Sequence, residues 1–531
     1  MKNYICSKKY LAILLSFVMM FAAAGCGKNT SENVSNATET PAAEVENQDD
    51  TTVTILQFSD FHGAVDNAAS SKNPGMDKFA AVVKEYTQQA DEKNAYIVVS
   101  GGDNYQGTAM SNLTYGKVIN EMMHALDVKY SAIGNHEYDW GSGYFTQWQE
   151  DGGFEFLAAN IVDKATGELV EYAKPYAVYE ANGKKIGFIG IATPETSESV
   201  LAELVEGLEF LEPAKVVADY EKILREEENC DAVVVLSHLG ATQEEDGTIT
   251  GEAADLAEAA GGIDGILSGH AHNCVSGEVN GVPVVQPMNN GRGLASLILK
   301  FSGDEVAVEY GVRDLVPEVE TLPSDEEVKA IYDKNNEDLK PILDEVIAEQ
   351  PMELTHDSSV ADTDLGQYSD KLLAEIAGTQ IAFTNGGGIR ASLEAGELTI
   401  GDMYTVFPFD NTIVTMEMTG EQIKAVLEHG LNPDNGVGMI QYYGLIATVD
   451  TSKEVGERVE SITLLDGTEL DMKESYTVAT NNFLATDGDG FTFSTASNMV
   501  DTAKTIRDAM IDSIKEQGVV SFKKVNAYIE K

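Results

Sequence analysis

The sequence predicts a two-domain α/β protein, on three observations. At 531 residues the chain exceeds what one hydrophobic core supports. Apolar residues make up 43 % of it, enough to build two cores. Short β-rich apolar runs alternate with stretches of helical periodicity, first from Val53 to about Val316 and again from about Glu353 to Lys531.

In chain order, residues 1–26 read as an export segment. Lys2, Lys8 and Lys9 precede an apolar stretch from Leu11 to Ala24 that is too short to span a bilayer. It ends in Ala23-Ala24-Gly25-Cys26, which resembles a bacterial lipobox with Ala23 in the usual leucine position. Lipidation of Cys26 would leave the protein exported and anchored on the outer face of the cell membrane. Ordinary cleavage without lipid is the alternative. Residues 27–51, rich in Ser, Thr, Asn and Glu, read as a disordered tether. Of four cysteines, only Cys230 and Cys274 lie beyond the export segment. An oxidising compartment permits them to pair, but spacing does not decide it.

Residues 52–318 form the first domain, with strands expected at Val53–Leu56, Tyr96–Val99, Tyr130–Ile133, Ile186–Ile191, Ala232–Leu236, Ile263–Leu267 and Val282–Val285. Residues 319–352 read as a helical connector. Ser324-x-x-Glu327 is a capping box, Val328, Ile331, Tyr332, Leu339 and Ile342 recur at helical spacing, and Pro341 predicts a kink or two consecutive helices. Residues 353–531 form the second domain, with strands expected at Gln380–Phe383, Ile413–Met418, Leu445–Val449 and Tyr476–Thr480.

The formal charge of −53 argues against binding nucleic-acid polymers or anionic lipids, both of which need a basic face. It would also repel a phosphate ester unless bound cations supplied positive charge locally. The residues for such cations stand directly after strands. Asp60 and His62 follow the first run, Asp103 the second, Asn135 and His136 the third, and His238, His270 and His272 follow later ones. In parallel α/β sheets these carboxyl ends converge on one crevice. A lone histidine there is usually structural, but five of the chain's eight histidines occupy such loops beside two aspartates and an asparagine. Oxygen and imidazole donors without thiolates suit Zn, Mn, Fe or Co, and they outnumber the four that one tetrahedral ion needs. Two divalent ions are therefore expected.

In this order, Asp60-x-His62, Gly102-Asp103, Gly134-Asn135-His136-Glu137, His238 and Gly269-His270-Ala271-His272 resemble the calcineurin-like metallophosphoesterases. The similarity is strongest to secreted bacterial 5′-nucleotidases and related UDP-sugar and cyclic-nucleotide hydrolases. The resemblance implies an αββα sandwich followed by a connector and an α/β substrate-binding domain. It implies that Asp60, His62 and His272 hold one metal, that Asn135, His238 and His270 hold the other, and that Asp103 bridges them. His136 would act catalytically, oriented by Asp139. The implied reaction releases phosphate by attack of a hydroxide that the two cations generate.

In the second domain, Thr384-Asn385-Gly386-Gly387-Gly388-Ile389-Arg390, Phe407-Pro408-Phe409 and Asn481 to Phe491 resemble the 5′-nucleotidase C-terminal domain. That implies a nucleobase between Phe409 and Phe483, with Asn385, Arg390 and Asp489 on the sugar and nearby groups. Asp487-x-Asp489-Gly490 is no EF-hand loop, because Asn498 stands where a glutamate is needed. Where relatives place a substrate-binding arginine, this chain has Asp362-Thr363-Asp364-Leu365-Gly366, which leaves Arg390 as the expected guanidinium. The expected partner is a nucleotide or other small phosphoester, with 2′,3′-cyclic nucleotides or UDP-sugars as the alternative. A lipid-anchored binding protein without chemistry is a remote third reading, since no ligand position is missing. Substrate groups and metals lie in different domains, so closure about the segment Leu322–Gln350 is expected.

Overall fold

A computed structural model describes residues 50–67, 72–432 and 436–531. The export segment, Cys26 and all but the last residues of the tether lie outside the described residues.

The first half is built on two six-stranded sheets. Strands Thr51–Phe58, Asn94–Ser100, Val128–Ala132 and Glu155–Leu157 run parallel, and Gly293–Ser302 and Glu305–Asp314 extend that sheet antiparallel. The other sheet carries Lys184–Ala192, Ala232–His238, Gly265–Leu267 and Val282–Gln286 in parallel, flanked by Tyr176–Ala181 and Val275–Val279. The period-two alternation of strands sorts side chains into layers. Val53 and Ile55 meet Val234 and Leu236 between the sheets. Leu56 and Phe58 face outward onto Phe79 and Met122, which belong to helices Gly75–Thr87 and Lys117–Ala125. On the far side Val233 and Val235 cover Leu224 and Leu256, from helices Pro213–Glu226 and Glu252–Ala259. The result is the αββα sandwich. Sheets covered on both faces explain why these strands read as continuous apolar runs.

In the second half, a five-stranded sheet orders Gln441–Tyr443, Ile381–Thr384, Ser475–Asn481, Thr412–Thr419 and Ser497–Thr505. It separates two cores: Ile381, Phe383 and Val478 face one, Ala382 and Ala479 the other.

The connector departs from the sequence reading in two respects, its cap and the effect of Pro341. The helix cap is Asp325, whose side chain accepts from the Val328 amide, while the Ser324 hydroxyl donates to Asp77. The helix runs unbroken over Glu326–Leu343, and Pro341 in its last turn forfeits the bond of its own missing amide without ending the helix. The helix also packs against the first half. Val328, Ile331, Tyr332 and Leu339 pack into the first-half core, and Asn335 donates to Glu121. Strand Val346–Gln350 already pairs with Gly396–Thr399 of the second half. Only the few residues around Asp344 are left between the two bodies. Cys230 is buried and free, so it does not pair with Cys274.

Candidate metal centre and substrate cleft

Every ligand position predicted from sequence lies at or just beyond the carboxyl end of a strand, His238 being the last residue of Ala232–His238, and the segments are laced to one another. The Asp60 amide donates to Gly102 O and the His62 amide to Asp103 O. Asp60, His62, Asp103, His270 and His272 all adopt left-handed backbone, with φ between 49° and 69°. Such a conformation costs a non-glycine residue about 1–2 kcal/mol, and clusters of it mark functional sites. Gly134 lets the loops close: a Cβ there would sit 2.2 Å from an Asp103 carboxylate oxygen.

The ligand atoms fall into two groups, Asp60–His62–His272 and Asp103–His238–His270, each within 4.8 Å. Asn135 Oδ1 joins the second, 3.1 Å from His270 Nδ1. A single oxygen of Asp103, Oδ2, lies 3.1 Å from His238 Nε2 and 3.8 Å from His62 Nε2, and so faces both groups. The tautomers are set by backbone carbonyls. His62 Nδ1–H donates to Gln106 O at 2.9 Å, and His238 Nδ1–H to Gly101 O at 2.7 Å. Each therefore aims the lone pair of Nε2 into the site. His62 Nε2 meets His272 Nε2 at 3.0 Å, and buried His238 Nε2 makes no hydrogen bond among the described residues. Nitrogen lone pairs converging on each other and on carboxylates fit cations, and the donor set is all nitrogen and oxygen.

The electrostatics agree. Burial drives His62 down to about 3 and His272 well below its usual value, so both imidazoles are neutral and ready to ligate. Burial also opposes charge on His238, yet Asp103 and then Asp60 carry it up to about 10. Among protein groups alone, these aspartates demand positive charge. A cation meets that demand in place of the proton.

His136 stands beside the ligands. Its Nδ1–H donates to Asp139 Oδ2 at 2.9 Å, and its ring lies 5.3 Å from that of His62. Burial lowers its basicity, but Asp139 and Asp103 more than reverse this, pushing it up to about 8.

Two carboxylates escaped the sequence reading. Glu137, fully buried, accepts from the amides of Asp103, Asn104 and Gly134 at 2.7–2.8 Å, and from the Asn104 side chain. It ties the loop carrying Asp103 to the loop carrying Asn135. Glu195 Oε2 stands 3.1 Å from His270 Nε2, on the opposite side of the ring from Asn135, an outer partner of the kind that orients ligating histidines. Glu137 could have been suspected from the motif Gly134-Asn135-His136-Glu137. Glu195 carries no comparable local signal.

The two halves meet over a cavity of about 720 Å³. Asn135, His136, His270 and His272 line it from one side, and Asn385, Arg390, Phe409, Phe483 and Asp489 from the other. The Phe409 ring lies 5.7 Å from the His136 ring and 6.0 Å from the Arg390 guanidinium. Asn385 is held by Asn481 and donates to Asp489, whose carboxyl burial pushes up to about 6. Among the described residues, Arg390 is the only lysine or arginine lining the cavity. Asp362 and Asp364 face elsewhere, accepting from the Ala527 amide and Lys524.

A two-sheet sandwich with paired ligand groups at its strand ends defines a metallophosphoesterase. The calcineurin-like phosphoesterase family model matches residues 53–274, and the model of the 5′-nucleotidase C-terminal domain matches residues 346–496. Together they cover most of the chain, which therefore joins a calcineurin-like phosphoesterase domain to a 5′-nucleotidase C-terminal domain. A 5′-nucleotidase precursor from Thermus thermophilus superposes with a TM-score of 0.77 at 28 % identity, over 90 % of this chain and 99 % of that one. Endonuclease YhcR of Bacillus subtilis is 29 % identical over 81 % of this chain. Cell wall protein Lmo0130 of Listeria monocytogenes is 28 % identical over 88 % of it. The chain spans only 37 % of the endonuclease and 67 % of the cell wall protein. Among the described residues no helix is long and apolar enough to cross a membrane.

Proposed function

We propose that this chain is an exported two-cation phosphohydrolase that releases phosphate from nucleoside 5′-monophosphates. One observation carries the reading: His272 of one ligand group, and His270 with Asn135 of the other, line the same cavity as a set of aromatic, guanidinium, amide and carboxylate side chains. Asp60, His62 and His272 would hold one cation and Asn135, His238 and His270 the other, with Asp103 shared. When bound, the pair supplies the positive charge that polarises a phosphoryl group and acidifies a water.

The remaining roles belong to the protein. His136, oriented by Asp139, is placed to donate its Nε2 proton toward the oxygen that leaves. Arg390 neutralises charge on the phosphoryl oxygens. Phe409 and Phe483 offer apolar faces to a base, and Asn385 and Asp489 offer polar atoms to a ribose.

A single guanidinium lining the cavity among the described residues favours one phosphate over a di- or triphosphate, and the acidic surface disfavours a polymer such as an endonuclease would cut. The test is a panel of AMP, ATP, UDP-glucose, 2′,3′-cyclic AMP and a single-stranded oligonucleotide, on protein loaded with Mn, Zn or Co. Fastest turnover of AMP supports the reading. A preference for the cyclic nucleotide, UDP-glucose or oligonucleotide replaces it with the corresponding hydrolase, and no turnover with any metal points to a binding protein. We further propose export with a lipid on Cys26; mass spectrometry of the mature N-terminal peptide tests it, and an unmodified or absent cysteine refutes it.

A further inference from the structure

The loop that presents Phe409 to the cavity is held by a residue far from it in sequence. Arg507 is the second residue of helix Ile506–Gln517 and is 4 % exposed. Its Nη1 lies 3.0, 3.2 and 3.4 Å from the carbonyl oxygens of Phe407, Pro408 and Phe409. Its Nη2 pairs with the Asp410 carboxylate. The Tyr404 ring closes the other side, 3.8 Å from the guanidinium carbon. Three consecutive carbonyls gathered on one cation is a pattern neither helix nor strand provides. Without Arg507 the carbonyls of Phe407 and Phe409 would lose this donor, and that of Pro408 would keep only Asn112.

The same loop is gripped from the first half. Asn112 Nδ2 donates to Pro408 O at 2.8 Å, while Asn112 Oδ1 accepts from the Gly107 amide at 3.2 Å. Gly107 directly follows Gln106, whose carbonyl fixes the tautomer of the metal-site residue His62. The Pro408 carbonyl is thus a shared anchor between Arg507 in one half and the metal-bearing loops in the other.

We propose that Arg507, with Asn112 opposite it, is a positioning residue for substrate: it fixes the loop 407–410, and thereby the Phe409 ring, where a nucleobase stacks beside His136. The assignment rests on the nucleotide reading above. Lysine cannot replace it, because a point ammonium lacks the planar fork that reaches several carbonyls and Asp410 together.

The experiment compares AMP with ribose 5-phosphate, which carries the same reacting group without a base, in wild type, Arg507→Lys and Asn112→Asp. Stacking on an aromatic face contributes roughly 5- to 150-fold per base. Wild type should prefer AMP in kcat/KM. Arg507→Lys should lose roughly tenfold of that preference, chiefly through the KM for AMP, with metal content unchanged. Asn112→Asp keeps the acceptor for Gly107 and removes the donor to Pro408, so it should lose roughly threefold; it also serves if Arg507→Lys does not fold. A wild type indifferent to the base overturns the nucleotide reading and this assignment with it. A selective wild type whose variants are equally selective overturns the clamp alone.

Discussion

Glu137 never faces the cavity, yet replacing it with glutamine should dismantle the metal centre. Its Oε1 accepts from the amide and side chain of Asn104, and its Oε2 from the amides of Asp103 and Gly134. Whichever oxygen becomes NH2 in Glu137→Gln, two donors are left facing a donor. Each unsatisfied buried donor costs about 1–3 kcal/mol, so the substitution costs about 2–6 kcal/mol, out of the 5–15 kcal/mol that typically holds a domain folded. The loss falls on the joint between the loop of Asp103 and that of Asn135. Outer-sphere changes of this kind weaken metal binding about 10- to 100-fold. Equilibrium dialysis against graded chelator, with metal content read by mass spectrometry, measures this directly, and a melting curve with and without added Mn gives the stability. A variant that melts lower but holds both metals within twofold of wild type would refute the argument, since Glu137 would then serve stability and not ligand geometry.

Further outcomes follow from the same geometry. His136→Ala should retain both metals while losing 10²- to 10⁴-fold in kcat, the usual yield of a proton donor; wild-type turnover would remove His136 from the chemistry. Glu195→Gln should weaken one of the two metals selectively, seen as a split in a chelator titration, whereas equal loss of both or of neither contradicts its link to His270. Asp370 lies fully buried behind Thr384, which donates to its Oδ1, and burial pushes its carboxyl up to about 7. It stays protonated in the folded chain but ionises in the unfolded one above about pH 4, so stability should fall as pH rises from about 4 to 7. Asp370→Asn should flatten that slope and gain up to about 4 kcal/mol above pH 7. Identical slopes in denaturant titrations of the two proteins would show that Asp370 does not titrate in this window.

What the sequence made legible is what depends on local order. Asp60, Asp103, Asn135 and His238 each follow an apolar run closely, so parallel-sheet topology alone sends them to one crevice. The connector was harder, because Val328 and Leu339 read the same whether a helix is free or packed onto a core. Glu195 and Arg507 were not visible: their partners His270 and Pro408 lie 75 and 99 residues away, and no period or motif encodes such pairings. The aspartates at 362 and 364 show the converse. Their sequence position suggested a lost substrate contact, whereas their side chains bind the C-terminal segment.

The left-handed backbone at five ligand positions constrains how such a centre can evolve. Asparagine, aspartate and histidine enter that region several-fold more readily than other side-chain-bearing residues, and β-branched residues scarcely enter it. The loops therefore restrict the permitted alphabet before any metal selects among it. Drift at Asp60, His62, Asp103, His270 and His272 is channelled toward oxygen and imidazole donors and away from the glutamates and thiolates that other scaffolds use. The preference for hard or borderline cations is in this sense inherited from chain geometry, and a switch to a soft metal would require new loops as well as new side chains.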